Sequence, residues 1–299
     1  MATRVVVGLL SDQQEFQLIQ AADARDSAAR AGLAVEVVFA DKNAVQQIHQ
    51  LFREIHKPEG ERPAAIVVET VTGEGLERVA RNAVRAGIGW VLISGSVSYL
   101  EPLRKERPDL PIANVTVDQV EAGRIQGRQL RALLPRGGPV LYIQGPADTS
   151  AAAGRLRGVE ETIKGAGIEL KLLNADWTDA GAEKALATWL RLKTTEGFRP
   201  GVIAAQNDSM AVGARQAVNT LRKDWAGLPF LGCDGLPEGG QKLVARGELA
   251  ATIVTPSPTG PAVTLVARAL AGERPPAELK LAPRSHPSEE ELARRGARR

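Results

Sequence analysis

Short apolar runs alternate with longer segments of helical pattern along almost the whole chain, and this alternation constrains the fold more than any other feature. The runs are rich in valine and isoleucine, as in "RVVVGLL", "AAIVVET" and "PVLYIQG". Continuous apolar strands that alternate with helices are typical of parallel sheets covered on both faces. Because the alternation forms two successive series within 299 residues, the sequence predicts an α/β protein with two similar lobes.

Polar side chains interrupt the apolar runs where the predicted strands end. In "AAQNDSMAVGA" the strand gives way to Gln206, Asn207 and Asp208 before the next helix. Open α/β sheets bind ligands at the carboxyl ends of their strands, next to helix N-termini. The polar strand ends are Ser11 to Gln14, Glu69, Ser94 to Ser96, Asp118, Gln119, Gln144, Asp176, Trp177, Gln206 to Asp208, Asp234 and Thr255. We expect face-to-face lobes to gather them in one ligand cleft.

Helix capping is the alternative explanation for these polar junctions. Asp208 or Ser209 can cap the helix that starts at Met210, and Thr149 or Ser150 can cap the helix that follows them. A cap accounts for one polar side chain per junction, whereas three adjacent polar residues end the strand in "AAQND". The pattern therefore indicates a binding site together with caps.

Composition and charge exclude several classes of protein. The chain is 43% hydrophobic and 24% charged with a net charge of +3, as expected for a soluble globular protein. Much of the basic charge is in "ELARRGARR", which we expect to be a solvated tail. No basic patch is interleaved with aromatic residues, so nucleic acid is not an expected partner. We expect a monomer, because no repeated apolar helix face stands out.

The sequence leaves the cellular location open. No apolar stretch reaches the roughly 18 residues that a membrane span needs. The N-terminal "MATRVVVGLL" lacks the long apolar segment and cleavage site of a secretory signal. We therefore expect a periplasmic or extracellular protein if a signal was removed, and a cytoplasmic one otherwise. The single cysteine, Cys233, excludes an internal disulfide but does not decide the compartment.

The motifs of common enzyme classes are absent. No Gly-x-Gly-x-x-Gly follows a strand, and neither a phosphate-binding loop nor a nucleophile elbow is present. His49, His56 and His286 are too dispersed to predict a metal site or a catalytic triad, and Cys233 is expected to be a small buried hydrophobe. We expect no cofactor, no metal and no catalysis, although the carboxylates at the strand ends leave an acid–base pair open.

Four segments carry a resemblance to a known family. They are "TVDQVEAGRIQG", "GPADTSAAAGRLRGVEETIK", "AAQNDSMAVGA" and "GCDGLPEGGQKLVARGELAATIV". Their order along the chain resembles that of the type I periplasmic sugar-binding proteins, the ribose-binding group. The same fold forms the effector domains of lactose-repressor-type regulators, whose N-terminal DNA-binding segment is missing here.

The resemblance implies two Rossmann-like lobes with parallel sheets, joined by three crossovers and closing about a hinge on a ligand held between them. We expect residues 1–116 with 256–278 in one lobe and residues 117–255 with 279–299 in the other. The resemblance places crossovers near Val115–Asp118, Asp234–Leu236 and Thr255–Pro258. Pro256 and Pro258 suit a connector, because proline cannot continue a β-ladder.

The resemblance also implies roles for individual residues. Asn207 would hydrogen-bond a ligand hydroxyl, and the Asp234 carboxylate would accept bonds from two adjacent hydroxyls. Trp177 falls where the family places an aromatic ring that stacks on a pyranose face, and Phe16 is a candidate for a second ring. The complete set of expected ligand-binding residues is Asp12, Gln13, Phe16, Glu69, Ser94, Asp118, Gln119, Trp177, Asn207, Asp208, Asp234 and Thr255.

Three departures from the family pattern concern the ligand. The family's aspartate after the fourth strand is Ser94 here, its ring-gripping arginine aligns with Ala153, and its final glutamine is Thr255. Arg155 is expected to brace its helix. Loss of an arginine–aspartate pair would remove strong charge-assisted bonds and favour a ligand other than ribose or glucose. Asp12, Glu69 and Asp234 would also tolerate an amino or otherwise cationic group.

Three functions are open, taken in order; the resemblance implies the first two, and the carboxylates at the strand ends leave the third open. The first is a solute-binding protein that encloses a sugar or sugar-like molecule and delivers it to the permease of an ABC transporter. The second is a cytosolic sensor of the same fold that acts on a kinase or transcription partner. The third is an enzyme. Turnover of a ligand would distinguish an enzyme from a binding protein, and an upstream signal segment would distinguish transport from sensing.

Overall fold

The structure is a computed structural model that describes residues 2–195 and 197–296. It divides into two compact units. The first unit contains the described residues up to Val117 together with Pro256–Leu281, and the second contains Asp118–Thr255 together with the described residues from Ala282 onward. The chain therefore passes between the units at residues 117–118, 255–256 and 281–282.

The helices and strands alternate as the sequence predicts. In chain order they are β1 Arg4–Leu9, α1 Glu15–Ala31, β2 Ala34–Phe39, α2 Ala44–Ile55, β3 Ala65–Val68, α3 Glu77–Arg85, β4 Gly89–Ile93, α4 Leu100–Glu106, β5 Ile112–Val117, α5 Gln119–Leu133, β6 Gly138–Gln144, α6 Ser150–Ile163, β7 Ile168–Asn174, α7 Asp179–Leu190, β8 Val202–Ala205, α8 Asp208–Leu221, β9 Phe230–Leu231, α9 Lys242–Ala245, β10 Thr252–Val254, α10 Thr259–Leu270, β11 Glu278–Leu281, β12 Arg284–His286 and α11 Glu289–Gly296. Single 3₁₀ turns lie at Glu59–Glu61, Gly73–Leu76, Lys193–Thr195 and Lys223–Trp225, and a π-turn at Pro237–Gln241. Within the described residues, no helix is both long and apolar enough to cross a membrane.

The first unit is built on a six-stranded parallel sheet in the order β11–β5–β4–β3–β1–β2. Its two faces have separate cores: Val5 and Val7 of β1 pack with α1 and α10, whereas Val6 packs with Leu51 of α2 and Trp90 of β4. Because both faces are covered, the residues of a central strand are apolar whichever face of the sheet they point to. This explains the continuous apolar runs and confirms the predicted fold class.

The second unit has a four-stranded parallel sheet in the order β7–β6–β8–β9. Single bridges extend it, from Leu231 to Ala251 and from Asp234 to Val254. A separate antiparallel pair joins β10 to β12. Local patterning does not predict this pair, because its strands are three residues long and about thirty residues apart in the sequence.

Two expectations from the sequence are wrong at this level. The segment Asp234–Leu236 is not a crossover but lies inside the second unit, where the Asp234 amide donates to Ile253 O at 3.0 Å. The start of the basic tail is not a solvated segment. It forms α11, in which Leu292 is buried against the core of the second unit, because an apolar side chain gains by leaving water. Residues 297–299 of this tail lie outside the described residues.

Helices α5 and α6 pack with their backbones in contact, which places Gln119 and Arg155 beside each other. A Cβ atom built on Gly123 would lie 2.0 Å from Arg155 O, and one built on Gly158 would lie 2.0 Å from Val120 O. Glycine at these two positions is therefore what permits the close approach, because any side chain would collide with main-chain atoms that cannot rotate away.

We expect Gly158→Ala to lower the free energy of unfolding by roughly 1–3 kcal/mol, because the two helices must separate to admit a methyl group. The measurement is urea unfolding of the two proteins side by side. Gly60→Ala is the matched control, since nothing lies within 4 Å of a Cβ at that position. A Gly158→Ala protein as stable as the control would show that the helix contact contributes little.

Candidate functional site

The candidate residues of the second unit lie at the carboxyl ends of its parallel strands. Gln144 ends β6, Gln206 and Asn207 follow β8, Asp234 lies three residues after β9, and Trp177 follows β7 by three residues. Because the strands are parallel, these ends share one edge of the sheet. The sequence rule for α/β sheets therefore brings the predicted residues of this unit to one edge, as expected.

Arg155 of α6 connects three of the predicted residues and was not itself predicted to bind ligand. Its Nε donates to Gln119 Oε1 at 2.8 Å, and its Nη2 lies 3.7 Å from Asp234 Oδ1. Its guanidinium carbon lies 5.6 Å from the centroid of the Trp177 ring. Its Nη1 also donates to Gln206 O. The side chain is 9% exposed, so these contacts are made largely away from water.

The structure corrects one part of the expected loss of an arginine–aspartate pair, because Arg155 faces Asp234, whereas Ser94 still stands at the position of the family's second aspartate. The family resemblance aligned the ring-gripping arginine with Ala153. Residue 153 is exposed, whereas Arg155, two positions along α6, faces the strand-end edge of the second unit. Two positions correspond to about 200° around a helix, so a small alignment shift reverses the face on which a side chain lies. Arg155 thus supplies the charge-assisted donor that the sequence analysis did not assign, beside the acceptor Asp234 that it did.

Asn207 is the N-cap of α8 and supports Trp177. Its Oδ1 accepts from Met210 N at 2.8 Å, and its Nδ2 donates to Trp177 O at 2.9 Å. The prediction of Asp208 or Ser209 as this cap is wrong by one residue, because the helix already begins at Asp208. At α6, Thr149 is the cap, since its Oγ1 accepts from Ala152 N at 3.3 Å.

Asp208 lies beneath the edge and organises the loop that carries Asp234. Its Oδ1 accepts from Thr252 Oγ1 at 2.6 Å, and its Oδ2 accepts from Gly235 N at 2.8 Å. The side chain is buried, and burial together with the neighbouring Asp234 raises the pKa of Asp208 to about 8. We therefore assign Asp208 a positioning role in place of the direct ligand contact expected from the sequence.

Backbone strain is concentrated in the candidate residues. Five described residues other than glycine have a positive φ, and three of them are predicted ligand residues: Ser94 at 62°, Trp177 at 70° and Asp234 at 114°. Such conformations cost free energy for residues with a side chain and persist where the surroundings enforce them, often at binding sites. At Asp234 the enforcement is visible, because its carbonyl accepts from Thr255 N at 3.0 Å and its amide is bonded to Ile253.

The remaining predicted residues of the second unit support this edge. Asp118 caps α5, with Oδ1 accepting from Glu121 N at 2.9 Å, and so fixes the helix turn that presents Gln119. Thr255 is buried and bonded to the Asp234 backbone. Two buried glutamines also belong here. Gln206 bonds Gly145 N and Ala152 O, whereas Gln144 Oε1 has no hydrogen-bond partner among the described residues.

In the first unit, the predicted residues lie at the carboxyl ends of β1, β3 and β4. Asp12 and Gln13 are exposed in the turn after β1, where Gln13 Nε2 donates to Asp12 Oδ1 at 2.6 Å. Phe16 is half-buried in the first turn of α1, and Ser94 follows β4. Glu69 follows β3 and is held by amide groups of α1.

The described residues offer little else for chemistry. No group of three or more His, Cys, Asp or Glu side chains within them is arranged to hold a metal ion. Cys233 is buried, and burial raises the pKa of its thiol to about 12, which keeps it in the unreactive thiol form. The geometry thus favours recognition of polar groups by hydrogen bonds and an aromatic ring.

Sequence comparison relates the chain to sugar-binding relatives. The chain is 34% identical over 142 residues to the ribose import binding protein of Salmonella typhimurium, covering 48% of this chain and 46% of that protein. It is 25% identical over 189 residues to a putative rhizopine-binding protein of Rhizobium meliloti, covering 62% of this chain and 58% of that protein. The matched region thus spans about half the length of these curated relatives.

Solved structures share the fold. The myo-inositol binding protein of Caulobacter, bound to myo-inositol, has a TM-score of 0.80 at 21% identity, covering 99% of this chain and 97% of that one. A periplasmic solute binding protein of an ABC transporter from Actinobacillus succinogenes, with bound D-allose, has a TM-score of 0.83 at 18% identity, covering 98% and 99%. A sequence profile described as periplasmic binding protein domain matches residues 5–274. The chain therefore belongs to the periplasmic binding protein domain family, as its sequence resemblance implied.

Proposed function

We propose that this protein binds a sugar or sugar-like polyol and delivers it to the permease of an ABC transporter. The observation that carries the proposal is the arrangement of Arg155, Asp234 and Trp177 at one edge of the second unit. A guanidinium beside a carboxylate offers donors and acceptors to adjacent hydroxyls, and an indole ring offers a flat apolar face to the C–H groups of a sugar.

The relatives support the ligand class. Three of those named above are a ribose import binding protein and proteins with bound myo-inositol or D-allose, which are small polyhydroxylated molecules. We propose that the polar edges of both units contribute to ligand binding, with Phe16 and Glu69 contributed by the first unit and Trp177 and Asp234 by the second. We further propose that the protein acts as a monomer in the periplasm, because its family is one of periplasmic binding proteins.

The proposal is tested by calorimetry and thermal shift with D-ribose, D-allose and myo-inositol. Binding to the folded state alone raises its stability by mass action, by ~2.7 kcal/mol at a hundredfold excess over the Kd. We expect at least one compound to bind with micromolar Kd, which corresponds to about −8 kcal/mol. Retention without chemical change is expected; turnover of the compound would instead indicate an enzyme, and no shift with any polyol would contradict the proposed ligand class.

Trp177→Leu is expected to weaken binding of such a compound by roughly 10- to 100-fold, because the apolar face of the sugar loses the ring that covers it. Trp189→Leu is the matched control. Trp189 lies in the core of the same unit, in edge contact with Phe198, so its loss should lower stability and leave the affinity of the folded protein unchanged. Equal affinity losses in both variants would assign Trp177 to the core alone.

A further inference from the structure

Glu69 is a carboxylate held within the protein by uncharged groups. Its Oε2 accepts from Gln17 Nε2 at 2.8 Å and from Gln20 Nε2 at 3.3 Å. Its Oε1 accepts no hydrogen bond from the described residues, and Glu69 makes no ion pair with any of them. Glu69 therefore presents one carboxylate oxygen that no protein donor satisfies.

Glu54 is a buried carboxylate whose charge is compensated by two cations, and it provides a comparison for Glu69. The Glu54 side chain is 3% exposed and forms ion pairs with Arg4 and with Lys57, the latter at 2.8 Å. These cations lower the pKa of Glu54 despite its burial, whereas burial raises the pKa of Glu69, on which no cation acts. Glu69 is half-buried, so its carboxylate is partly withdrawn from water and still reaches the strand end. A partly desolvated carboxylate without a counter-ion there favours a ligand that supplies the positive charge.

The amide groups that hold Glu69 are themselves fixed. Gln17 Oε1 accepts from Leu10 N at 2.8 Å, and Gln20 Oε1 accepts from Thr259 Oγ1 at 2.9 Å. With both oxygens occupied in this way, both NH₂ groups are directed at Glu69. Gln47 Nε2 donates to Glu69 O at 2.7 Å and fixes the backbone as well. The position of the carboxylate is therefore set before any ligand arrives, which is the property of a preorganised site.

The charges of the candidate residues also favour a cationic ligand. Of the twelve residues predicted from the sequence to bind ligand, five are Asp or Glu and none is Lys, Arg or His. The structure adds one cation, Arg155, which faces Asp234. Because Asp208 keeps its proton at neutral pH and Arg155 compensates Asp234, the remaining negative charge is that of Asp12, Glu69 and Asp118, which attracts cations and repels anions.

We propose that the ligand carries a protonated amino group, held by Glu69, and is therefore an amino sugar or an aminocyclitol. This inference rests on the proposed sugar-binding function and narrows its ligand class. An ammonium group compensates the carboxylate and brings three N–H donors to the Oε1 atom, whereas a hydroxyl brings one donor and no charge. Sugar phosphates and uronic acids are excluded on the same grounds.

The experiment compares matched pairs of ligands on the whole protein. Calorimetry at pH 7 measures the Kd of D-glucosamine against D-glucose, D-galactosamine against D-galactose, and a monoamino-inositol against myo-inositol. We expect the amine of at least one pair to have a Kd at least about tenfold lower than its neutral partner, because a charge-assisted bond to Glu69 adds to its affinity. In Glu69→Gln, which keeps the size and one acceptor oxygen, that ratio should fall to about two or less.

Glu59→Gln is the matched control, because Glu59 is exposed and precedes β3 at the opposite end of the strand. The control should keep the full preference for the amine. If the neutral member of every pair binds as tightly as the amine, or if Glu69→Gln keeps the preference, the amino-ligand inference is overturned while the sugar-binding function stands. If no member of any pair binds and the neutral polyols named above also fail, the proposed function falls and the inference falls with it.

Discussion

Arg155→Ala is expected to lower the free energy of unfolding by about 3 kcal/mol and to weaken ligand binding by about 100-fold. The substitution removes the guanidinium that faces Asp234 and the donors that bond Gln119 and the Gln206 carbonyl. Gln206 is buried, so its carbonyl stays out of water after the change, and a buried polar group without its partner loses more than the bond itself contributed.

Urea unfolding followed by tryptophan fluorescence measures the stability, because Trp177, Trp189 and Trp225, three of the four tryptophans, lie in the second unit with Arg155. Arg155→Lys keeps the charge but cannot reach two or three partners with one ammonium, so it should fall between wild type and Arg155→Ala. An Arg155→Ala protein with wild-type stability would show that the guanidinium makes no net contribution to the fold.

Asp208 should make the protein less stable as the pH rises from about 4 to 8. The folded protein keeps the proton of this carboxyl up to about pH 8, whereas the unfolded chain loses it near pH 3.9. Over this window the unfolded chain binds fewer protons than the folded protein, so the free energy of unfolding falls with rising pH. Below the window both states are protonated, and above it both are ionised, so the contribution is constant outside it.

Asp208→Asn should remove this dependence, so its stability relative to wild type should increase between pH 5 and pH 9. The asparagine oxygen can still accept from Gly235 N, and its amide can donate to Thr252 Oγ1. Asp208→Ala also lacks the carboxyl but loses both bonds, so it should be less stable than Asp208→Asn by about 2 kcal/mol at every pH. Thermal midpoints of the three proteins at pH 5, 7 and 9 give the comparison. Parallel curves for wild type and Asp208→Asn would mean that this carboxyl is ionised throughout.

The fold was predictable from the sequence because it rests on periodic burial. Strands covered on both faces must be apolar throughout. The helices between them can be predicted from the length of the intervening segments and the spacing of their apolar residues. The strand-end rule likewise located Trp177, Glu69 and Asp234 at the carboxyl-end edges of the two sheets, since parallel strands align their ends whatever the side chains. The sequence pattern therefore predicts on which face, or at which end, of a helix or strand a residue lies.

The contacts of the site were not predictable in the same way. Arg155 lies beside Gln119 because Gly123 and Gly158 allow two helix backbones to touch, and no local sequence pattern gives the distance between two helices. The positive φ of Trp177 and Asp234 is invisible in the sequence, because glycine is the residue that usually marks such a conformation. The helix that was expected to start at Met210 starts two residues earlier, at Asp208, so Asn207 and not Asp208 is its cap.

The hydrogen bond from Thr255 N to Asp234 O has a mechanical consequence. Thr255 is the last residue of its unit at this point, and Pro256 already belongs to the other unit. The connecting peptide is thus attached directly to the backbone of a residue expected to hold the ligand, with no flexible segment between them. A rotation at the 255–256 peptide therefore reaches the main chain of Asp234 through Thr255 and one hydrogen bond, and a ligand that fixes Asp234 stiffens the connection in return.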